Sequence, residues 1–364
     1  MDVVFAGGGT GGHLYPALAI ARALVAADPR VRPFFVGAER GIEQQILPAT
    51  GFPFALFPLH PIYRSDIGRN VHGISQTLGS WGAMGRVLRE RKPAVVVGTG
   101  GYASGLALAW AITHGVPTVQ QVADAMPGMT ARATSRWAHA LYLGFAAAKP
   151  RLPVGSRTVV LVTGNPVDPP LVPRPGRFEA RGKFGLGTDP TIQTVLVFGG
   201  SQGSEAVNQA VSEWLGGPLP PTLRVIWAVG TKHYEMWKTT SFPQTTIVPY
   251  LSPISDAYAA CDLAVARAGA MTCAELTAWG IPAILIPLPS AAADHQTSNA
   301  RALVDAGAGA LLTQKAGMGI ELAALVAELL RDQRRLATMA GRSRELGRAD
   351  AAKDIALDIL TRFG

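Results

Sequence analysis

Val3-Val4-Phe5-Ala6-Gly7-Gly8-Gly9-Thr10-Gly11-Gly12-His13 decides the fold. A short apolar run that stops in glycines reads as a strand buried on both faces. Residues 16–26 follow as a helix, with Leu18, Ala21, Leu24 and Val25 on one face. The same unit returns as Val195-Leu196-Val197-Phe198-Gly199-Gly200-Ser201-Gln202-Gly203-Ser204. That echo predicts two consecutive α/β domains, each a parallel sheet doubly wound by helices.

The chain between these stretches supports the pattern. Phe34-Phe35-Val36-Gly37, Ala94-Val95-Val96-Val97-Gly98, Thr118-Val119-Gln120 and Val159-Val160-Leu161-Val162 read as strands of the first series. Arg224-Val225-Ile226-Trp227-Ala228, Leu263-Ala264-Val265-Ala266 and Ala283-Ile284-Leu285-Ile286 continue the second, and residues 320–363 read as mostly helix. Residues 166–190, rich in Pro, Arg and Gly, read as a linker. With 364 residues and about 100–200 per domain, two domains are expected. Facing each other across the linker, their strand ends would hold two ligands in one cleft.

Composition excludes several classes. Gly 41 and Pro 27 are spread without a period, which rules out collagen-like and low-complexity chains. Cys261 and Cys273 cannot frame a disulfide scaffold or a zinc site. A formal net charge of +8 suits an anionic membrane surface or a phosphate-bearing substrate. Nucleic acid is not expected as a partner, because no zinc-finger, KH or RRM signature occurs and the basic residues are scattered. Residues 94–123 carry no charge, yet glycines and Pro117 interrupt them, so they read as strand, loop and helix rather than a membrane span. The N-terminal residues lack a signal-peptide pattern, which predicts a cytosolic chain.

The glycine loops carry the chemistry. Glycines let a backbone turn tightly against a phosphate or sugar, and the following helix offers unpaired N–H groups. Gly7 to His13 is neither the dinucleotide G-x-G-x-x-G nor a Walker loop. Gly98-Thr99-Gly100-Gly101-Tyr102-Ala103-Ser104-Gly105 repeats the arrangement later in the first half. In the second half, Ser201 and Gln202 can donate hydrogen bonds without adding charge. Arg267-Ala268-Gly269-Ala270-Met271-Thr272-Cys273-Ala274-Glu275 again runs from strand into helix. There Gly269, Ala270, Met271 and Thr272 can present N–H groups to a phosphate, and Glu275 can accept from both hydroxyls of a ribose. Asp294-His295-Gln296 falls at the same rim, placed to contact a sugar. For each segment the plain alternative is a tight turn, a favourable acid near a helix start, or a solvated loop.

His13 is the candidate general base, since an imidazole among glycines near a helix N-terminus can take a proton from a hydroxyl at neutral pH. No Asp-x-Asp pair and no Cys/His cluster occurs, so no metal and no cofactor are expected. A leaving diphosphate would be countered by backbone dipoles and Arg267.

These motifs, GGGTGGH at 7–13, GTGGYASG at 98–105, GNPV at 164–167, GGSQG at 199–203, ARAGAMTCAE at 266–275 and DHQTSNA at 294–300, resemble the MurG family of GT-B glycosyltransferases over nearly the whole chain. That family moves N-acetylglucosamine from UDP-GlcNAc to undecaprenyl-linked lipid I in peptidoglycan synthesis. The resemblance implies an α/β GT-B fold with an acceptor domain over 1–163 and a UDP-GlcNAc domain over 164–344. A final helix over about 345–364 would pack back on the first. It implies Ser201, Gln202, Gly203, Leu251, Arg267, Gly269, Ala270, Met271, Thr272, Glu275 and Gln296 on the donor, with Leu251 reading uracil. Thr10, Gly11, Gly12 and Asp124 would join them, while Gly9, Gly100, Gly101 and Tyr102 would meet the acceptor and His13 act as base.

One segment departs from the pattern: Gln121-Val122-Ala123-Asp124 replaces the family's His-Glu-Gln-Asn, so position 122 supplies no acid or base. Asp168 likewise stands where the family often has Arg. The function expected is inverting transfer to the C4 hydroxyl of MurNAc, at the cytoplasmic face of the membrane as a peripheral protein. The anionic inner-leaflet surface would be met by Ile62, Tyr63, Arg64, Ile67, Arg69 and Trp81. A GT-B transferase with a different acceptor, or a UDP-sugar-binding protein with little turnover, are the alternatives.

Overall fold

The structure, a computed structural model, describes residues 1–59, 67–200 and 202–364, with backbone alone over 67–78. It divides into two units, Met1–Asp168 with Ala349–Gly364, and Pro169–Arg348.

The first unit is built on β1 (Asp2–Gly7), β2 (Arg32–Ala38), β3 (Phe54–Phe57), β4 (Val95–Gly100), β5 (Thr118–Val122), β6 (Ala140–Leu143) and β7 (Val159–Leu161). They lie in the order β3-β2-β1-β4-β5-β6-β7, and every pairing is parallel. Side chains alternate between faces along a strand, and both faces are covered here. Val3, Phe5, Val95 and Val97 join Leu14, Leu18 and Ile20 of the helix Gly11–Ala27. Val4, Ala6 and Val96 join Ala103, Ala107 and Leu108 of the helix Gly101–Thr113. This is why the strands read as unbroken apolar runs. The C-terminal helix Ala351–Phe363 adds Ile355, Ala356 and Ile359 to the first of these clusters, against the helix Gly11–Ala27.

The second unit repeats the plan. β8 (Gln193–Phe198), β9 (Leu223–Ala228), β10 (Thr245–Val248), β11 (Leu263–Ala266), β12 (Ala283–Leu285) and β13 (Gly309–Leu311) lie in the order β10-β9-β8-β11-β12-β13, again all parallel. Val195 and Val197 pack with Val207 and Val211 of the helix Glu205–Leu215 and Leu322 of the helix Met318–Arg331. The two strands whose sequences echo each other, β1 and β8, occupy the same central place in their sheets.

Four details differ from the sequence reading. β3, β6, β10 and β13, of three or four residues each, are additional to the expected strands, because runs that short carry little periodicity. The first helix starts at Gly11 rather than Pro16: Leu14 N–H already bonds to the Thr10 carbonyl at 3.2 Å. The segment 166–190 is no plain linker, for it contains the helix Arg177–Lys183. Arg181 of that helix is only 1% exposed and donates to Asp262 Oδ2 at 2.9 Å and to the Ile192 carbonyl at 2.8 Å. β5 runs two residues beyond the expected Thr118-Val119-Gln120 and takes in Gln121 and Val122.

Candidate functional site

In a doubly wound sheet, ligands bind beyond the carboxyl ends of the strands, where the strand order reverses. In the first unit that point lies between β1 and β4. Their register shifts between Ala6 and Gly7, so that Ala6 pairs with Gly98 but Gly7 pairs with Gly100. Thr99, skipped by the shift, donates its hydroxyl to the His13 carbonyl at 2.7 Å.

The loop after β1 is held from below. Glu43, fully buried, accepts the Gly9 N–H on both carboxylate oxygens at 3.0 Å and the Ala38 N–H at 3.1 Å. A Cβ at Gly8 would fall 1.6 Å from Glu43 Oε1, so only glycine fits there. From above, Gly101 takes φ +78°, and a Cβ on it would lie 2.3 Å from the Gly8 carbonyl oxygen. His13 stands in the first turn of its helix, half-buried. Its Nδ1 lies 3.1 Å from the Gly8 carbonyl and 3.3 Å from Thr10 Oγ1. A carbonyl only accepts, so in the neutral ring Nδ1 carries the hydrogen and Nε2 keeps its lone pair. A Cβ at Gly100 would come within 2.9 Å of that Nε2, and one at Gly9 within 3.0 Å of the Tyr102 ring. Gly9, Thr10, Gly11, Gly12, His13, Gly100, Gly101 and Tyr102 therefore form one cluster. The loop read over 98–105 is shorter than expected, because the strand runs to Gly100 and the helix begins at Gly101.

Asp124, half-buried, follows the end of β5. The residues before it are structural. Gln121 donates to Asn165 Oδ1 at 2.7 Å, and Asn165 donates to the Ala123 carbonyl at 3.0 Å. Val122 is packed among Ala138, Leu141, Leu143, Ala148 and Leu152. Asp168 makes an exposed ion pair with Arg22 at 3.6 Å.

The second unit has its switch point between β8 and β11. Ser201 lies outside the described residues, and Gln202 is exposed. Gly203 takes φ +72°, and a Cβ there would lie 2.5 Å from the Val229 carbonyl. Ser204 caps the helix Glu205–Leu215 by accepting from Val207 N–H. Arg267, just past β11 and 7% exposed, donates Nε and Nη2 to Ser204 Oγ at 3.1 and 2.7 Å. Its Nη1 reaches the carbonyls of Ile286 and Pro287, both at 3.1 Å. Among the described residues no carboxylate pairs with it. Burial lowers the guanidinium to about 10, still cationic at neutral pH.

Gly269 is the N-cap of the helix Ala270–Trp279, whose first turn holds Ala270, Met271 and Thr272. Glu275, further along this helix and half-buried, accepts from the Tyr258 hydroxyl at 2.7 Å. Gln296, in the helix His295–Asp305, accepts the Leu288 N–H at 3.0 Å. Asn299 of that helix donates to the Ala268 carbonyl at 3.1 Å, tying it to the loop after β11. Leu251 is buried beyond β10. This rim thus gathers a buried cation, a helix N-terminus and a carboxylate, which together can hold a diphosphate and a diol.

Glu43 and Tyr258 lie outside every motif quoted above, whereas Thr99 and Ser204 fall inside two of them without being singled out. Glu43 stands as the first residue of the short helix Glu43–Ile46 that follows β2. Among the described residues no group of three or more His, Cys, Asp or Glu is arranged to hold a metal ion.

Comparison with known proteins bears on both units. Residues 3–143 match the glycosyltransferase family 28 N-terminal domain, and residues 194–355 the glycosyltransferase family 28 C-terminal domain. The UDP-N-acetylglucosamine--N-acetylmuramyl-(pentapeptide) pyrophosphoryl-undecaprenol N-acetylglucosamine transferase of Desulforudis audaxviator is 37% identical, covering 100% of this chain and 98% of that one. The protein of the same name from Chlorobaculum parvum is 40% identical, covering 98% of each. The crystal structure of Acinetobacter baumannii MurG superposes with a TM-score of 0.78 at 25% identity, covering 99% of each chain. The fold is GT-B. The chain belongs to the family of UDP-N-acetylglucosamine--N-acetylmuramyl-(pentapeptide) pyrophosphoryl-undecaprenol N-acetylglucosamine transferases.

Proposed function

We propose that this chain transfers N-acetylglucosamine from UDP-GlcNAc to the C4 hydroxyl of MurNAc in undecaprenyl-diphosphate-linked lipid I, with inversion, giving lipid II. The reading rests on full-length identity to transferases of that name, whose names specify both substrates. The unit Pro169–Arg348 takes the donor. Glu275 holds the ribose, Leu251 meets uracil, and Gln296 faces the sugar. Ser201, Gln202, Gly203 and the helix start at Gly269 to Thr272 surround the diphosphate, with Arg267 behind them. The unit Met1–Asp168 takes the acceptor at Gly9, Gly100, Gly101 and Tyr102, with Thr10, Gly11, Gly12 and Asp124 reaching the donor sugar.

The chemistry follows from charge flow. Nε2 of His13 takes the proton of the C4 hydroxyl as its oxygen bonds to C1 of GlcNAc. The bond from C1 to the phosphate oxygen breaks, and UDP leaves with the electron pair. Its new charge is met by the N–H groups of the helix Ala270–Trp279 and by Arg267, both in place beforehand.

The acceptor is lipid-linked, so a membrane surface belongs to the reading. No described helix is long and apolar enough to cross a membrane. The net charge of +8 favours the anionic inner leaflet, which makes the association peripheral and cytoplasmic-facing. Of the expected docking residues, Ile62, Tyr63 and Arg64 lie outside the described residues. Ile67 and Arg69 fall in the helix Ile67–Arg91, and Trp81 is half-buried against the core. Trp81 is therefore a packing residue first.

The test is UDP release with a soluble lipid I analogue, together with isolation of the disaccharide product. Stoichiometric UDP and a new linkage at C4 are expected. UDP-GlcNAc binding without transfer, or transfer only to unrelated acceptors, overturns the reading.

A further inference from the structure

Tyr258 lies in the helix Ile254–Ala260, outside every glycine motif. It is 3% exposed. Its ring sits edge-on to Phe198, the last residue of β8, with centroids 6.2 Å apart, and is tilted against Trp279 at 5.7 Å. Trp279 ends the same helix that carries Glu275 one turn earlier. The phenol is thus clamped by two elements of the rim it serves, and its hydroxyl donates to Glu275 Oε2 at 2.7 Å.

A glutamate has three side-chain torsions, and ordering them when a ligand arrives opposes binding. A carboxylate also has about four lone-pair directions, and the Tyr258 hydroxyl takes up one of them. We propose that Tyr258 is a positioning residue for the nucleotide's ribose: its hydroxyl holds one oxygen of Glu275, so that the carboxylate meets the vicinal ribose hydroxyls in a single orientation. This rests on the assignment of Glu275 to the ribose. Burial, and then the charge of Glu275, push the phenol well above its ordinary value, so it remains a donor across the working pH range.

The test compares binding of UDP and 2′,3′-dideoxy-UDP by calorimetry to wild type, Tyr258→Phe, Glu275→Ala and the double variant. Wild type prefers UDP, and Glu275→Ala brings the ratio of affinities close to one. Tyr258→Phe lowers that ratio by about five- to tenfold, the cost of ordering one long side chain on binding. It leaves dideoxy-UDP affinity within about twofold, and in the Glu275→Ala background it has no further effect. Phenylalanine keeps the ring contacts, and the ratio reads both ligands against the same variant, so partial loss of folded protein cancels. Retention of the wild-type ratio by Tyr258→Phe, or equal weakening of both ligands, overturns the proposal. A ratio that survives Glu275→Ala overturns the ribose assignment itself.

Discussion

The carbonyl oxygen of Gly8 accepts from Nδ1 of His13 at 3.1 Å, which leaves Nε2 as the basic nitrogen of the ring. His13→Ala is expected to lower kcat by about 10²–10⁴-fold, the usual contribution of a positioned general base, with UDP-GlcNAc affinity little changed. Steady-state kinetics with calorimetric binding checks this. A variant that keeps most of its kcat removes His13 from the role.

Glu43 supports the same loop from beneath. Glu43→Ala strands the buried N–H of Ala38, at about 1–3 kcal/mol, and the half-buried N–H of Gly9 at less. The melting temperature should fall, and kcat should fall with it as the Gly8 carbonyl loses its fixed place. Glu43→Gln keeps one acceptor oxygen and should recover part of both losses. Wild-type melting and kcat in Glu43→Ala would show that the buried carboxylate does not hold this loop.

Arg267 makes a different prediction, because its cation is buried with no carboxylate partner among the described residues. Arg267→Met should weaken UDP binding by about tenfold or more, through loss of a charge-assisted contact, while leaving uridine binding unchanged. Calorimetry with the two ligands separates them. Equal loss for both would mean that the residue only shapes the rim through Ser204, Ile286 and Pro287.

The C-terminal helix belongs to the core of the first unit. Ile359 is fully buried there, so Ile359→Ala should destabilise by about 2–5 kcal/mol. Tyr142 donates to Asp358 Oδ2 at 2.8 Å, but Asp358 is also held by Arg362 at 2.7 and 2.9 Å. Tyr142→Phe should therefore destabilise by only about 1 kcal/mol. Thermal or urea unfolding ranks the two, and the reverse order would contradict the packing described.

Local order alone determined a good deal of this protein. Val3 to Ala6 and Val195 to Phe198 are apolar on both faces and run into glycines, and that pattern admits little besides a central strand of a parallel sheet before a helix. The glycine-rich motifs marked both rims, because a backbone that must approach another backbone tolerates no side chain. Tertiary structure decided which long-range partners complete them. Glu43 reaches Gly9 across 34 residues, Arg267 reaches Ser204 across 63, and Tyr142 meets Asp358 across 216. Tyr258 meets Glu275 from a separate helix. Such pairs have no periodicity to betray them: a hydrogen bond depends on distance and angle in the folded chain, and those exist only once the sheet order has been set.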